Sequence, residues 1–397
     1  MKKLTCFLLT ILLVLSLFGC NAAPAQTPAT TVPIVPAEPT VPATTEPAFQ
    51  WYDENTVTIT AQQVDSIVSS DFTAPKNIIL LIGDGMGPND ITLCREYGKD
   101  NFDFGLVLDR IPHHGLATTH SASSSVTDSA AAGTALATGT KTTNGYLGML
   151  TDGTNLKNIS EIAREKGKKI GIVTDDSITG ATPSAFLVHN ESRKNYDAIF
   201  TAALEFAPEV YIGKVDFSRY TEANEKGFNA ASRFQQIEHT FSQTGDPTKP
   251  FVGFNSGYGL NASNELSQCT QMALQLLDNE NGFFLMVESC GTDKYGHNNN
   301  INGKIASVTT LDRTLAAILL FMEKNPDTLL IVTSDHETGG VQLPKEGESV
   351  SNDLFTTEEH TDTPVGVFAL GQGSEFFHNK TVDNTDIAKF LISILES

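Results

Sequence analysis

From about residue 70 onward, short uninterrupted apolar runs alternate with longer amphipathic stretches, and this constrains the fold more than any other feature of the chain. The runs are Asn77 to Ile82, Lys169 to Val173, Phe283 to Val287, Thr328 to Thr333 and Val365 to Leu370. A strand with one wet face alternates apolar and polar residues, whereas a continuously apolar strand must be covered on both faces. Between the runs, Ile159 to Lys166, Gln268 to Leu277 and Ile305 to Glu323 repeat apolar residues at helical spacing. The pattern predicts an α/β fold, a mostly parallel central sheet with helices on both faces. Tyr211 to Leu260 is less regular and is expected to form loops and short helices near the mouth of a site.

The first seventy residues have a different character. Met1-Lys2-Lys3, the apolar stretch Leu8 to Leu17 and the closing Leu17-Phe18-Gly19-Cys20 read as a signal peptide over residues 1–19. The closing tetrapeptide resembles a bacterial lipobox, in which Cys20 is lipidated and becomes the mature N-terminus. Phe18 stands where a small residue is usual, and an ordinary secretory signal cut near Ala23 is the alternative. Both place the mature chain outside the cytoplasm, held at the cell membrane by a lipid anchor or else secreted or periplasmic. Asn21 to Gln50 is rich in Pro, Thr and Ala without apolar periodicity, so residues 20–70 are expected to be a linker and residues 71–397 the folded domain.

The formal net charge of −21 argues against nucleic acid as a partner, because phosphate backbones require clustered Lys and Arg. Of five cysteines, Cys6 and Cys20 belong to the signal region. Cys94, Cys269 and Cys290 allow at most one disulfide, which excludes a disulfide-built scaffold.

Ligand sites in parallel sheets form beyond the carboxyl ends of the strands. Asp84, Glu288, Asp335 and His336 are the first charged or imidazole groups after three of the apolar runs, so the fold would gather them on one rim. Asp293 and His297 share a face of one helical turn, and carboxylate plus imidazole suits a zinc-like ion. Asp128 and Ser129 open a run of Ala, Thr and Gly, as an N-cap and first residue would. A serine there feels the positive end of the helix dipole. Each feature also has a plain structural reading: an N-cap, a solvated loop, a turn after a strand, or, for His360, a surface position. His113, His114, His120, His189, His239 and His378 are assigned to structural positions. Gly83-Asp84-Gly85-Met86-Gly87 permits close backbone approach but lacks the spacing and lysine of a nucleotide phosphate loop.

Taken in order, Ile79 to Gly87, Thr127 to Ala131, Ala181-Thr182-Pro183, Ser192-Arg193-Lys194, Glu288 to His297, Thr333 to His336 and Glu359-His360-Thr361 resemble the motif series of alkaline phosphatases, over roughly residues 75 to 395. The resemblance implies an alkaline-phosphatase-like fold with Ser129 as nucleophile. It implies one zinc on Asp293, His297 and His360, a second on Asp84, Asp335 and His336, and a magnesium on Asp84, Thr182 and Glu288, with cobalt able to replace zinc. Arg193 would clamp phosphate, oriented by Asp128, and Lys294 would reach phosphate or its water. The implied reaction is hydrolysis of phosphate monoesters to alcohol and inorganic phosphate through a covalent phosphoserine, in a chain whose relatives are often homodimers. The residue types suit this chemistry. A serine hydroxyl needs a neighbouring cation to become nucleophilic, two cations clamp both ends of an in-line displacement, and the guanidinium fork matches phosphate.

Two positions depart from the family pattern. Gly180 stands where many members carry Asp or His, so the magnesium site is expected to be looser or to take another ion. Thr338 stands where many carry His, so a contact that steadies zinc ligands is expected to be missing or replaced. The short span from His336 to His360 excludes the large insertion some relatives have there. The alternatives are a related phosphodiesterase or sulfatase and, in a different class, a non-catalytic phosphate-binding lipoprotein.

Overall fold

The computed structural model describes residues 57–98, 101–215, 217–231, 251–254 and 265–397. The expected signal peptide, Cys20 and most of the linker lie outside the described residues, as does His239.

The strands are β1 (Asn77–Gly83), β2 (His113–Thr118), β3 (Lys169–Ser177), β4 (Val210–Lys214), β5 (Asn229–Ala231), β6 (Phe251–Phe254), β7 (Phe283–Ser289), β8 (Thr328–Thr333), β9 (Glu337–Thr338), β10 (His360–Thr361), β11 (Val365–Leu370) and β12 (Thr381–Asp383). The helices are α1 (Ala61–Val68), α2 (Pro88–Tyr97), α3 (Ser129–Thr138), α4 (Ile159–Glu165), α5 (Ala181–Ala185), α6 (Tyr196–Phe206), α7 (Phe217–Glu225), α8 (Glu265–Leu277), α9 (Gly291–His297), α10 (Ile301–Met322) and α11 (Asn384–Glu396).

Ten strands form one sheet in the order β12-β2-β11-β8-β1-β7-β3-β4-β6-β5, and β9 and β10 form a separate hairpin. The central strands β8, β1, β7 and β3 run parallel, whereas β11 is antiparallel to both β8 and β2. The continuous apolar runs have the predicted cause. In β1, Ile79 and Leu81 enter a core shared with α1, α2, α8 and α10, while Ile78, Leu80 and Ile82 enter a second core shared with α3, α4, α5, α6 and α11. Side chains alternate across a strand, so two cores require both registers to be apolar. Each such buried Ile or Leu contributes roughly 1.5–3 kcal/mol.

Helix α10 is long and apolar enough to cross a membrane, but most of it is buried in the first core. It begins at Ile301 rather than at Ile305, because the Asn300 side chain caps it by accepting from the Gly303 amide.

Two expectations require correction. The folded body begins ahead of residue 71: the Thr60–Gln63 capping box starts α1, whose Val64 and Ile67 are buried in the first core. Residues Tyr211 to Leu260 are not merely loops and short helices. Among the described residues they supply most of β4, together with α7, β5 and β6, and these strands extend the sheet edge in parallel beyond β3. These strands are only five, three and four residues long, too short for their apolar runs to stand out from the surrounding polar sequence. Cys94, Cys269 and Cys290 are buried free thiols.

Candidate active site

Three central strands deliver the acidic groups. Asp84 follows β1, Glu288 lies near the end of β7, and Asp335 and His336 follow β8, all buried on the carboxyl rim of the sheet. Asp293 and His297 share one turn of α9, and His360 opens β10. The loop after β1 can pass this close to α9 and β9 because of its glycines. A Cβ on Gly85 would lie 2.6 Å from Asp293 Cα and 2.7 Å from Thr338 Oγ1, and Gly85 takes φ +70°.

Two triads of ligand atoms result. Asp293 Oδ1, His297 Nε2 and His360 Nε2 lie 3.2–3.4 Å from one another. The hydrogen bonds of the rings fix their protons. Nδ1 of His297 faces the Glu358 carbonyl and Nδ1 of His360 faces the Thr127 carbonyl at 2.9 Å. A carbonyl can only accept, so each Nδ1 carries a hydrogen, and whenever both rings are neutral the two Nε2 atoms present bare lone pairs to each other. Such a pair needs a proton or a metal ion between its members.

The second triad is Asp84, Asp335 and His336. His336 Nε2 stands 3.5 Å from Asp84 Oδ1, 3.3 Å from Asp335 Oδ2 and 3.2 Å from Ser129 Oγ. Both carboxylate oxygens are buried and accept no hydrogen bond. Thr338 Oγ1 donates to Asp293 Oδ1 at 2.8 Å and lies 3.2 Å from His336 Nδ1. Having given its own hydrogen to the carboxylate, Thr338 accepts from His336 Nδ1–H, leaving Nε2 bare. The contact expected to be missing at position 338 is therefore replaced: one hydroxyl ties a ligand of each triad. Bare imidazole nitrogens and orphaned carboxylate oxygens, all out of water, fit divalent cations.

The electrostatics agree. Burial, reinforced by Asp335, Asp293 and Glu288, holds the Asp84 carboxyl well above its ordinary range. Burial lifts Glu288 to about 8 and Asp335 to about 6. Burial and the neighbouring His360 hold His336 well below the usual imidazole range. Burial works against ionisation of Asp293 too, but in the metal-free chain His297 and His360, when protonated at Nε2, donate to it and outweigh burial, keeping this carboxyl low.

The proposed third cation site is less complete. Thr174 donates to Glu288, and the Thr182 hydroxyl, buried in α5, faces Glu288 without a hydrogen bond of ordinary geometry. Gly180 offers no side chain, and a Cβ there would lie 2.9 Å from the Ser177 carbonyl.

Ser129 is the first residue of α3. Its N-cap Asp128 accepts from Ala131 N at 3.0 Å and Gly145 N at 3.1 Å, and from the Arg193 guanidinium at 3.0 Å. The small residues of α3 allow the close packing read from the sequence: a Cβ on Gly133 would lie 3.1 Å from Ala185 Cβ of α5. Lys294 pairs with Asp176 at 3.2 Å and lies 3.7 Å from Asp293. Burial works against its charge, but Asp84, Asp176 and Asp293 hold the ammonium well above its ordinary range. All the residues singled out from the sequence beyond position 70 thus converge around one rim. Of the histidines set aside, none of those described enters it; His189 pairs with Glu161 and His120 with Asp383. The sequence reading missed Thr174, Asp176 and the buried groups behind the triads.

Fold and site together define an α/β protein with a metal cage that opens onto a serine hydroxyl at a helix N-terminus. A family model described as alkaline phosphatase matches residues 75–210 and 259–353. The alkaline phosphatase of Escherichia coli is 32% identical over 330 residues, covering 66% of this chain and 70% of that protein. Alkaline phosphatase 4 of Bacillus subtilis is 32% identical over 298 residues, covering 69% of this chain; the chain spans 64% of that relative's length. Among solved structures, the alkaline phosphatase of the Antarctic bacterium TAB5 superposes with a TM-score of 0.70 at 29% identity, covering 82% of this chain and 99% of that one. The cold-active enzyme of a Shewanella species superposes with a TM-score of 0.71 at 30% identity, covering 80% and 99%. The chain belongs to the alkaline phosphatase family.

Proposed function

We propose that the protein hydrolyses phosphate monoesters through a phosphoserine on Ser129. The observation that carries this reading is the placement of Ser129 Oγ at the start of α3, 3.2 Å from the bare Nε2 of His336 and so at the edge of the second triad. We assign zinc to the two triads, with cobalt as a substitute, and magnesium to Asp84, Glu288 and Thr182. The magnesium assignment is supported by a TAB5 variant structure with Mg bound in a site named M3. Divalent ions there would acidify the Ser129 hydroxyl and the attacking water and neutralise charge on the phosphoryl and leaving oxygens.

The chain's own groups carry the rest. Arg193, braced by Asp128, presents its planar fork to two phosphoryl oxygens, and Lys294 adds a positive charge at the rim. The α3 amides favour an anion beside Ser129. Ser129 Oγ gives up its proton to solvent and attacks phosphorus, the ester P–O bond breaks, and the leaving oxygen takes a proton from solvent to depart as the alcohol. Water then attacks the phosphoserine and loses a proton to solvent, the P–Oγ bond breaks, inorganic phosphate departs, and Oγ takes a proton from solvent to restore the serine hydroxyl.

The reading extends to the whole protein as an extracytoplasmic hydrolase, lipid-anchored at Cys20, with homodimerisation as its expected assembly. The test is p-nitrophenyl phosphate hydrolysis by the metal-loaded protein and by Ser129→Ala. The variant is expected to lose turnover while still binding zinc and inorganic phosphate. Turnover that survives in Ser129→Ala sinks the serine assignment. A metal-loaded parent that is inactive on monoesters but cleaves diesters or sulfates points to the related hydrolases, and one that binds phosphate without turnover points to the binding lipoprotein.

A further inference from the structure

Behind the triads lies a buried charge cluster that the reaction does not use. Lys304, on α10, is fully buried. Its ammonium stands 2.9 Å from Asp90 Oδ2 and 3.9 Å from Glu337 Oε1, and both carboxylates are themselves buried. It also donates to the Thr338 carbonyl and, at 3.5 Å, to the Gly85 carbonyl. Asp90 in turn accepts from Gly87 N at 2.8 Å. Glu337 accepts from Gly340 N, Val341 N and the Thr361 hydroxyl.

These contacts reach every segment that feeds the second triad and one that feeds the first. Gly85 adjoins Asp84, Thr338 ties His336 to Asp293, and Thr361 adjoins His360. A buried ion pair is weak support for stability, since its desolvation cost rivals its attraction. Its fixed geometry serves better to hold loops in register, and groups behind metal ligands tune affinity through their orientation. The Gly87 backbone is shaped for this: a Cβ there would lie 2.4 Å from Glu337 Cγ.

We propose that Lys304, with Asp90 and Glu337, is a positioning cluster that sets the spacing of the two cation triads, so that its contribution falls on metal affinity rather than on the stability of the fold. The proposal rests on the reading of the triads as metal cages. The test is zinc binding to the full metal-free chain by competition with a chromophoric chelator, alongside thermal melting in chelator. The informative variant is Lys304→Met with Asp90→Asn, which removes the ion pair while Glu337 keeps its own three donors. It is expected to melt, metal-free, within a few degrees of the parent and to bind zinc about 10- to 100-fold more weakly. Asp90→Asn alone, which keeps the ammonium on the Thr338 and Gly85 carbonyls, is expected to lose less zinc affinity than the double variant. Should the double variant not fold, Lys304→Gln keeps a donor for the Thr338 carbonyl without the charge, and the same loss is expected. Unchanged zinc affinity in the folded variant overturns the proposal, as does a loss of affinity in full proportion to a loss of melting temperature. A parent that binds no zinc overturns it differently, by removing the cage reading beneath it.

Discussion

Thr338→Val is the sharpest test of how the metal ligands are held. Valine keeps the shape of threonine and removes one oxygen. That oxygen makes two bonds, to Asp293 Oδ1 at 2.8 Å and to His336 Nδ1 at 3.2 Å. The Asp293 oxygen retains its two imidazole neighbours, His297 and His360, so the loss there is small. His336 is fully buried, and its Nδ1–H would lose its acceptor. An orphaned buried donor costs about 1–3 kcal/mol. The ring can escape by moving its hydrogen to Nε2, which silences the atom that faces Asp84, Asp335 and Ser129. Metal binding must reverse that shift and restore the orphaned donor, so the cost falls on the metal-bound state, and 1–3 kcal/mol corresponds to roughly a 5- to 140-fold weaker zinc affinity. The assay is zinc titration against a chelator, paired with p-nitrophenyl phosphate hydrolysis at limiting and saturating zinc. Saturating zinc is expected to restore most turnover, because Thr338 touches neither serine nor phosphate, and Thr338→Ser is expected to match the parent. Zinc affinity unchanged in Thr338→Val would refute the assignment of the His336 hydrogen and the tie between the triads.

Further outcomes follow from the same geometry. Arg193→Lys keeps a charge but loses the fork, so the inhibition constant of inorganic phosphate and the KM for monoesters are both expected to rise about tenfold or more; phosphate binding equal to the parent would refute the clamp. Metal-free protein is expected to lose stability between pH 6.5 and 8. Glu288 keeps its proton up to about 8 when folded and releases it near its ordinary 4.5 when unfolded, so over this interval the folded chain binds more protons and stability falls as pH rises, by up to about 1.4 kcal/mol per pH unit. His297 and His360, raised in the fold, act with the same sign, whereas the lowered His336 acts oppositely only below about 6.5. A melting temperature in chelator that climbs across this interval contradicts the electrostatic account.

Much of this is legible in the sequence alone. β8 and β11 fall where their apolar runs predicted, and the helical step from Asp293 to His297 puts both on one turn of α9, because these features are local. The placement of Asp84, Glu288 and Asp335 on one rim follows from parallel strands ending on the same side of a sheet. The start of α1 was hidden because its short amphipathic turn directly follows a low-complexity stretch. Lys304 carries no such signal, because a lysine at the edge of an apolar helix ordinarily points to water. Nothing local in the sequence announces that Asp90 of α2, distant along the chain, will meet it on the same face of the sheet.

What the sequence by itself determined is the inventory and the order: two-sided strands, a serine behind an N-capping aspartate, and carboxylates and imidazoles after the right runs. What only the tertiary structure decided is which nitrogen of each imidazole is bare, that Thr338 spans both triads, and that a lysine is buried beneath them. Those facts depend on partners far apart in sequence, such as Thr127 with His360 or Gly85 with Lys304. Hydrogen-bond direction is set by which acceptor the fold brings to each donor, and no local pattern of residues encodes that pairing.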